Sequence, residues 1–281
     1  MKGPLLVLGV IAAASFSGPL VAVALGTDAQ GVDLLDRLAG PSAAHPLGTD
    51  ELGRDVLLRV LEGGRVSLAI GGIAALVAAA LGSLIGLTAG YLGGWADRIL
   101  MRATDGVIAL PLLPLLIVLA ALDLTKLGMP QDWVQSEQIT LLRIIALVAL
   151  VGWTTAARLV RSATLVTRNQ DFVRAARSLG APVPHILLWH VLPNAAGPLV
   201  VATALSVGDI ILLESVLSFL GLGIQPPMAS WGSMLSNAQE LIATAPLLAI
   251  YPGAMIFSTV MSCNLLGDAF HKRLDPRLAG P

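Results

Sequence analysis

VSLAIGGIAALVAAALGSLIGLTAGY, Val66 to Tyr91, runs 26 residues without a charged side chain. A stretch that long and that apolar spans the ~30 Å hydrocarbon core of a bilayer as one α-helix, which satisfies its own backbone hydrogen bonds where no water can. Outward from it the same test finds five more runs, from about Gly3 to Leu25, Ala103 to Leu122, Leu141 to Ala157, Ala195 to Leu213 and Thr244 to Gly267. Composition agrees: 56% of the 281 residues are hydrophobic and 12% charged, too little polar surface to cover a soluble particle. The fold class is therefore all-α, a polytopic membrane protein of about six transmembrane helices. The first run follows Lys2 and has the small residues of a signal peptide near Ala22 to Gly26, yet its 23 uncharged residues exceed an h-region, so it reads as a retained span.

Charge distribution orients these spans. With the N-terminus inside, the cytoplasmic pieces carry Lys2, Arg98, Arg102, Arg158, Arg161, Arg168, Arg174, Arg177, Lys272, Arg273 and Arg277. The outer pieces carry Arg37, Arg54, Arg59, Arg65 and Lys126, beside seven acidic residues between Asp28 and Glu62. Eleven basic residues against five favour this orientation, with both termini cytoplasmic. Net charge is −1 and the basic residues are scattered, which points to no nucleic-acid partner. The lone Cys263 excludes an intrachain disulfide and a cysteine metal cluster, and His185 and His190 lack neighbouring acids, so no metal site is expected.

Several residues shape the spans. Gly82, Gly86, Gly90 and Gly94 repeat every four residues, a face that permits close approach of another helix or, less simply, lines a path. Pro111 and Pro114, and Pro246 and Pro252, remove backbone donors and bend their helices. Arg54 to Arg65 reads as a short interfacial helix ahead of the second span. The chain accordingly divides into an N-terminal span with an extracytoplasmic segment, residues 1–65, and a core of five spans, 66–281.

Between the fourth and fifth spans lies RLVRSATLVTRNQDFVRAARSLGAPVPHILLWHVLPN, Arg158 to Asn194. It reads as helix, stop, helix. Asn169 or Asp171 caps a start, Gly180 supplies a left-handed C-terminal position, and Pro182 forbids continuation. The short helix from Asp171 to Leu179 shows a narrow face of Phe172, Ala175, Ala176 and Leu179 between Arg174 and Arg177. Such a face docks in a groove of another protein or packs on the bundle's own inner surface.

Arg174-Ala-Ala-Arg-Ser-Leu-Gly180, followed by Val191-Leu-Pro-Asn194, resembles the EAA loop of ABC importer permeases, with Ala175, Ala176, Gly180, Leu192 and Pro193 matching in type and spacing. Arg174 stands where that pattern has glutamate. HPLGTDELGRD (His45–Asp55), LSFLGLGIQPPMASWG (Leu217–Gly232) and LDPRL (Leu274–Leu278) are similar to the dipeptide, oligopeptide and nickel group of these permeases. The resemblance implies a type I importer permease fold whose cytoplasmic coupling helix uses Asp171, Phe172, Arg174, Ala175, Ala176, Gly180, Leu192 and Pro193 to meet an ATPase. It implies as partners a second homologous permease, two nucleotide-binding ATPase subunits, an extracytoplasmic binding protein and membrane lipid. This chain would then bind no cofactor, ATP and Mg being held by the ATPases. Di- or oligopeptides lead as solutes, with nickel chelates, glutathione or opine-like compounds behind.

Asp209 and Glu214 lie near the outer end of the fifth span, where a carboxylate in lipid is costly and faces water or a partner, although Glu214 equally suits packing against the following loop. That loop, Ser215 to Ala243, mixes turn formers with apolar residues and reads as a folded re-entrant element whose Trp231 meets an extracytoplasmic contact. No lysine follows a glycine in a phosphate-binding loop, and no nucleophile elbow or HExxH pair occurs, so the chain is not an enzyme. An ion-driven secondary transporter is the rival reading, disfavoured by few intramembrane charges and no internal duplication. A reporter fused after Pro281 is expected to be active only if it functions in the cytoplasm; an active periplasmic reporter there overturns the span count.

Overall fold

α3 (Val56–Leu92) and α7 (Glu137–Thr167) make the tightest helix contact in the computed structural model, which describes residues 2–134 and 136–274. A methyl on Gly82 would stand 2.5 Å from the Trp153 carbonyl oxygen, and one on Gly86 2.5 Å from that of Ala157. One on Gly90 would stand 2.6 Å from the Thr164 side chain and 2.9 Å from the Arg161 carbonyl oxygen, so the two helices run parallel in step. The glycine repeat is thus a helix–helix contact rather than a path lining. Gly94 departs from it, sitting at φ +55° with open space around it.

The N-terminal run forms α1 (Lys2–Phe16) and α2 (Gly18–Leu25), which meet at a 51° bend. α1 runs antiparallel to α3, because Gly64 leaves room for Ser15 and Ile11 reaches inward to Trp231, Ile211 and Ile256. The third apolar run is not one straight span. α4 (Gly94–Ala109) and α5 (Leu112–Ala120) meet at 86°. The break falls on Leu110 and Pro111, both extended, as expected where a proline clashes with helical backbone in the residue before it. Beyond α5 comes the single turn α6 (Gln131–Val134), and Arg143 of α7 donates to the carbonyls of Ala120 and Leu122, closing the end of α5.

The inner loop proves almost wholly helical. α7 continues through Arg158 to Thr167, the short α8 spans Asp171–Ser178, and α9 (Val183–Ile186), a wide π-turn (Leu187–Val191) and α10 (Leu192–Phe219) form one rod of 37 residues. Charged residues ended the apolar runs without ending the helices, since a helix of 37 residues is about 55 Å long and outruns the hydrocarbon core at both ends. For the same reason Arg54 to Arg65 is no separate helix: from Val56 it forms the first turns of α3, which crosses the 65/66 division unbroken. α11 (Trp231–Gln239) lies in the loop between α10 and α12 (Leu247–Leu274), which returns antiparallel to α10 and passes through Pro252 without interruption. Pro246 sits just ahead of α12 rather than within a span. Residues 275–278 of the closing LDPRL segment lie outside the described residues.

Among the described residues there is no strand; four helices are long and apolar enough to cross a membrane, or six passes if each bent pair counts as one. The helix directions put the Lys2 end of α1, α8 and the C-terminal end of α12 on one side of the bundle, and α11 on the other. On that far side HPLGTDELGRD folds into a clasp. His45 Nδ1 lies 2.9 Å from Asp55 Oδ2, while Asp55 Oδ1 caps α3 by accepting from the Leu58 amide at 2.8 Å. Arg54 binds Asp50 at 2.7 Å and Arg59 approaches the same carboxylate at 3.4 Å. Gly48 and Gly53 both take positive φ, and a side chain on Gly53 would collide with the Asp33 carbonyl.

Gly86→Leu is expected to lower the melting temperature of the detergent-solubilised protein, because overpacking a tight contact costs about 1–3 kcal/mol. Gly72→Leu, on the same helix with nothing near its missing side chain, is expected to leave it unchanged.

Candidate functional site

α8 begins without the expected cap. Its N-cap is Gln170, which makes no side-chain bond; Asp171 is the first helical residue, and Asn169 instead donates to the Leu165 carbonyl. The C-terminal end follows expectation in detail. Gly180 sits at φ +80°, its amide donates to the Arg177 carbonyl at 3.0 Å, and the Ala181 amide reaches back to the Ala176 carbonyl at 3.1 Å. This paired bonding is the Schellman motif, and Pro182 then starts the rod that leads into the membrane.

The face of α8 that holds it to the bundle differs from the one read in the sequence. Val173 is fully buried, packed with Leu87, Val160, Ile186, Val191 and Ala195, and Ala176 lies half-buried beside it. Leu192 supports the same cluster, whereas Pro193 is exposed. Ala175 and Leu179 face away from the bundle, Leu179 with 88% of its surface free, and the half-exposed Phe172 ring lies 6.3 Å from that of His190, so the small apolar face exists but without Ala176 at its centre. The signal for Val173 was its spacing of three from Ala176, one turn along the same helix face. Arg177 is drawn over the ring of Tyr91, 5.2 Å from its centroid. Arg174 is exposed and only 3.8 Å from an equally exposed Asp171, a pair worth little in water, so its charge stays available.

Behind α8 the bundle is fastened by α7. Arg161 holds Asp97 through two bonds of 2.5 and 2.6 Å, Arg158 holds Asp105 at 2.6 Å, and Arg168 donates to the Gly90 carbonyl at 2.7 Å. These arginines tie the end of α3 and the length of α4 to the helix that precedes α8. Pro193, having no N–H to donate, stands two residues past the end of the π-turn, and Asn194 returns a side-chain bond to the His190 carbonyl at 2.7 Å.

A cavity of about 960 Å³ opens between α4, α5, α7 and α10. Its wall is mostly aliphatic, with Thr154, Thr155, Arg158, Ser162, Ser206 and Asp209 as the polar groups. It extends toward the α8 side as far as Val166 and Pro198. At its other end Val148 and Ile210 belong to an apolar cluster with Ile144, Ile224 and Met228. Past that cluster a smaller cavity of about 420 Å³ is lined by Ile144, Arg143, Thr140 and Gln225.

Of the three outer residues read in the sequence, only Asp209 faces a cavity. Glu214 is fully buried, and its carboxylate accepts from Ser218 Oγ at 2.7 Å and Ser67 Oγ at 3.2 Å. Ser67 Oγ also accepts from the Trp231 amide at 3.2 Å, and Ser218 Oγ accepts from the Ile224 amide at 3.0 Å. Trp231 itself is fully buried, its indole N–H donating to the Val60 carbonyl at 3.0 Å. Both residues therefore knit α3, α10 and the re-entrant loop together, and neither side chain reaches a surface of the chain. A hydrogen-bonding carboxylate among serines satisfies the buried loop backbone, which an exposed position would not require.

Passes joined by tight glycine contacts, an aliphatic cavity between them and a short helix held out at one end define a membrane transport subunit. Residues 82–280 match the family described as binding-protein-dependent transport system inner membrane component. The chain is 41% identical over 220 residues to the glutathione transport system permease protein GsiD of Pectobacterium atrosepticum, covering 78% of this chain and 68% of that one. It is 40% identical over 222 residues to the protein of the same name in Escherichia coli O6:K15:H31, with 79% and 69% covered. A solved amino acid ABC transporter with histidines shares the fold with a TM-score of 0.54 at 17% identity, over 76% of this chain and 94% of that one. The chain belongs to the binding-protein-dependent transport system inner membrane component family and is a permease subunit of an ABC importer.

Val173→Asp is expected to detach α8, since an ion buried without a partner costs several kcal/mol, and to make residues 168–182 sensitive to limited proteolysis. Gly180→Val meets no neighbour, so its cost is the left-handed strain alone, about 1–2 kcal/mol, and a proteolysis pattern close to wild type is expected.

Proposed function

We propose that this permease is driven through α8, which serves as the docking element for a separate ATPase subunit, while the solute crosses by way of the cavity beside α7 and α10. The observation that carries this reading is the build of α8: one buried valine fixes it, a Schellman turn ends it, and its outer face of Phe172, Ala175 and Leu179 is apolar, exposed and flanked by Arg174. An apolar helix face with a free cation beside it suits a groove of opposite charge on another protein. Asp171 and Gly180 set the ends of this element, and Ala176 and Leu192 help to form its seat.

The side bearing α8 is then cytoplasmic, as are both termini, in line with the basic residues collected there. The clasp from His45 to Asp55 and the loop around α11 face outward, toward an extracytoplasmic binding protein. A second homologous permease completes the path, and two ATPase subunits hold ATP and Mg, this chain holding neither. The relatives named for glutathione transport support a small peptide-like solute. ATP binding closes the ATPases, shifts α8, and so biases the permease toward one of two arrangements, which requires that ATP favour one of them energetically.

The test is copurification and binding-protein-stimulated ATP hydrolysis in reconstituted vesicles. Ala175→Glu, whose side chain faces outward, is expected to abolish ATPase association while leaving the permease folded and inserted. Arg174→Glu is expected to weaken association. Normal assembly and transport in both variants removes α8 from coupling.

A further inference from the structure

The cavity holds one charge that the chain does not balance. Arg158 is neutralised by Asp105 at 2.6 Å, Ser206 donates to its own helix at the Ala202 carbonyl, and Thr154 does the same at the Val151 carbonyl. Asp209 is exposed to the cavity and has no ion-pair or hydrogen-bond partner among the described residues. It stands in the second half of α10, toward its Phe219 end, between Gly208, which packs on Val260 and Cys263 of α12, and Ile210, buried in the apolar cluster. Its neighbours on both sides are taken up by packing, while Asp209 itself is exposed and lines the cavity.

An unpaired carboxylate at that depth is costly unless a cation, water or a polar ligand meets it. Level with Val148, it lies about 15 Å, ten residues of helical rise, from Arg158 at the α8 side, with an aliphatic wall between. A cavity with an unpaired carboxylate and otherwise mostly aliphatic walls suits a solute that leads with a positive group and carries apolar substance behind it. We propose that Asp209 is the group that receives the primary ammonium of the transported solute. This rests on the reading of the cavity as the solute path, and it makes Asp209 a specificity-determining residue of the permease itself.

The whole importer, with its second permease, ATPase subunits and binding protein, is reconstituted in vesicles and given tritiated glutathione or dialanine, each with a free amine or N-acetylated. Retention of all four by the isolated binding protein is measured separately. In Asp209→Asn, uptake of the free-amine solute that the wild type carries is expected to fall about ten-fold or more, the loss of one charge-assisted hydrogen bond, with binding-protein affinity and basal ATP hydrolysis unchanged. Asp209→Glu is expected to restore most of it, and any uptake of the N-acetyl form is expected to be insensitive to Asp209. Unchanged free-amine uptake in Asp209→Asn overturns the proposal while leaving the permease path intact. Loss of the second permease from the purified Asp209→Asn complex also overturns it, by showing that the carboxylate pairs with a cation of that subunit. If the wild type couples ATP hydrolysis to its binding protein yet carries neither amine probe, the ammonium assignment falls together with the peptide-like solute, and coupling through α8 stands. Absence of such coupling in the wild type instead defeats the driven-permease reading on which the proposal rests.

Discussion

The α3–α7 contact sets the position of nearly everything else. Three glycines one turn apart let two backbones approach to a separation at which any side chain on α3 would overlap carbonyl oxygens of α7. In a bilayer, where helices gain nothing by hiding apolar surface from lipid, such close approach is the chief source of attraction. Because α7 is held there, Arg161 and Arg168 reach Asp97 and the end of α3, and Leu87 and Val160 come together as the seat for Val173. The short external helix is positioned by a contact made inside the membrane.

The side bearing α11 uses different means. There the backbone of a re-entrant loop is buried, and its polar groups need partners that lipid cannot supply. Glu214, Ser67 and Ser218 provide them at one point, and the indole of Trp231 fills the space between α1, α3 and α12. The two ends of the molecule are thus held by chemically distinct devices, apolar packing with arginine staples at one and a buried hydroxyl–carboxylate network at the other. An apolar cluster of Ile144, Val148, Ile210 and Ile224 separates the cavities between them.

Much of this was legible in the sequence. Charge-free length found the crossing helices, glycine spacing found the helix contact, and Gly180 with Pro182 located the end of α8 and its turn. What escaped had physical causes. Arginines and aspartates ended the apolar runs but are good company for a helix outside the hydrocarbon, so α7 and the Val183–Phe219 rod run well past their apolar limits. The 86° elbow was present as Pro111, yet proline announces a bend without its size. Within α8, eight residues hold barely two turns, and the choice between the Val173 and Phe172 faces depends on Leu87 and Ile186, which no local pattern brings near. Glu214 and Trp231 are residue types that fit equally at a surface or in a satisfied interior; only the tertiary arrangement distinguishes the two.

The π-turn from Leu187 to Val191 sets the rotational phase of the long rod. A wide turn accommodates one residue more than an α-helical turn would, so every side chain beyond it is rotated about 100° relative to an uninterrupted helix entering from α9. Asp209 looks into the cavity and Glu214 into the serine cluster because of that offset. The five residues beyond the Schellman turn therefore act as an angular index for groups some 30 Å away along the same rod, at about 1.5 Å per residue. A single-residue deletion there that healed the turn into regular α-helix would swing the cavity carboxylate toward a packed neighbour and the buried one out of its serine cluster, in a chain whose composition had scarcely changed.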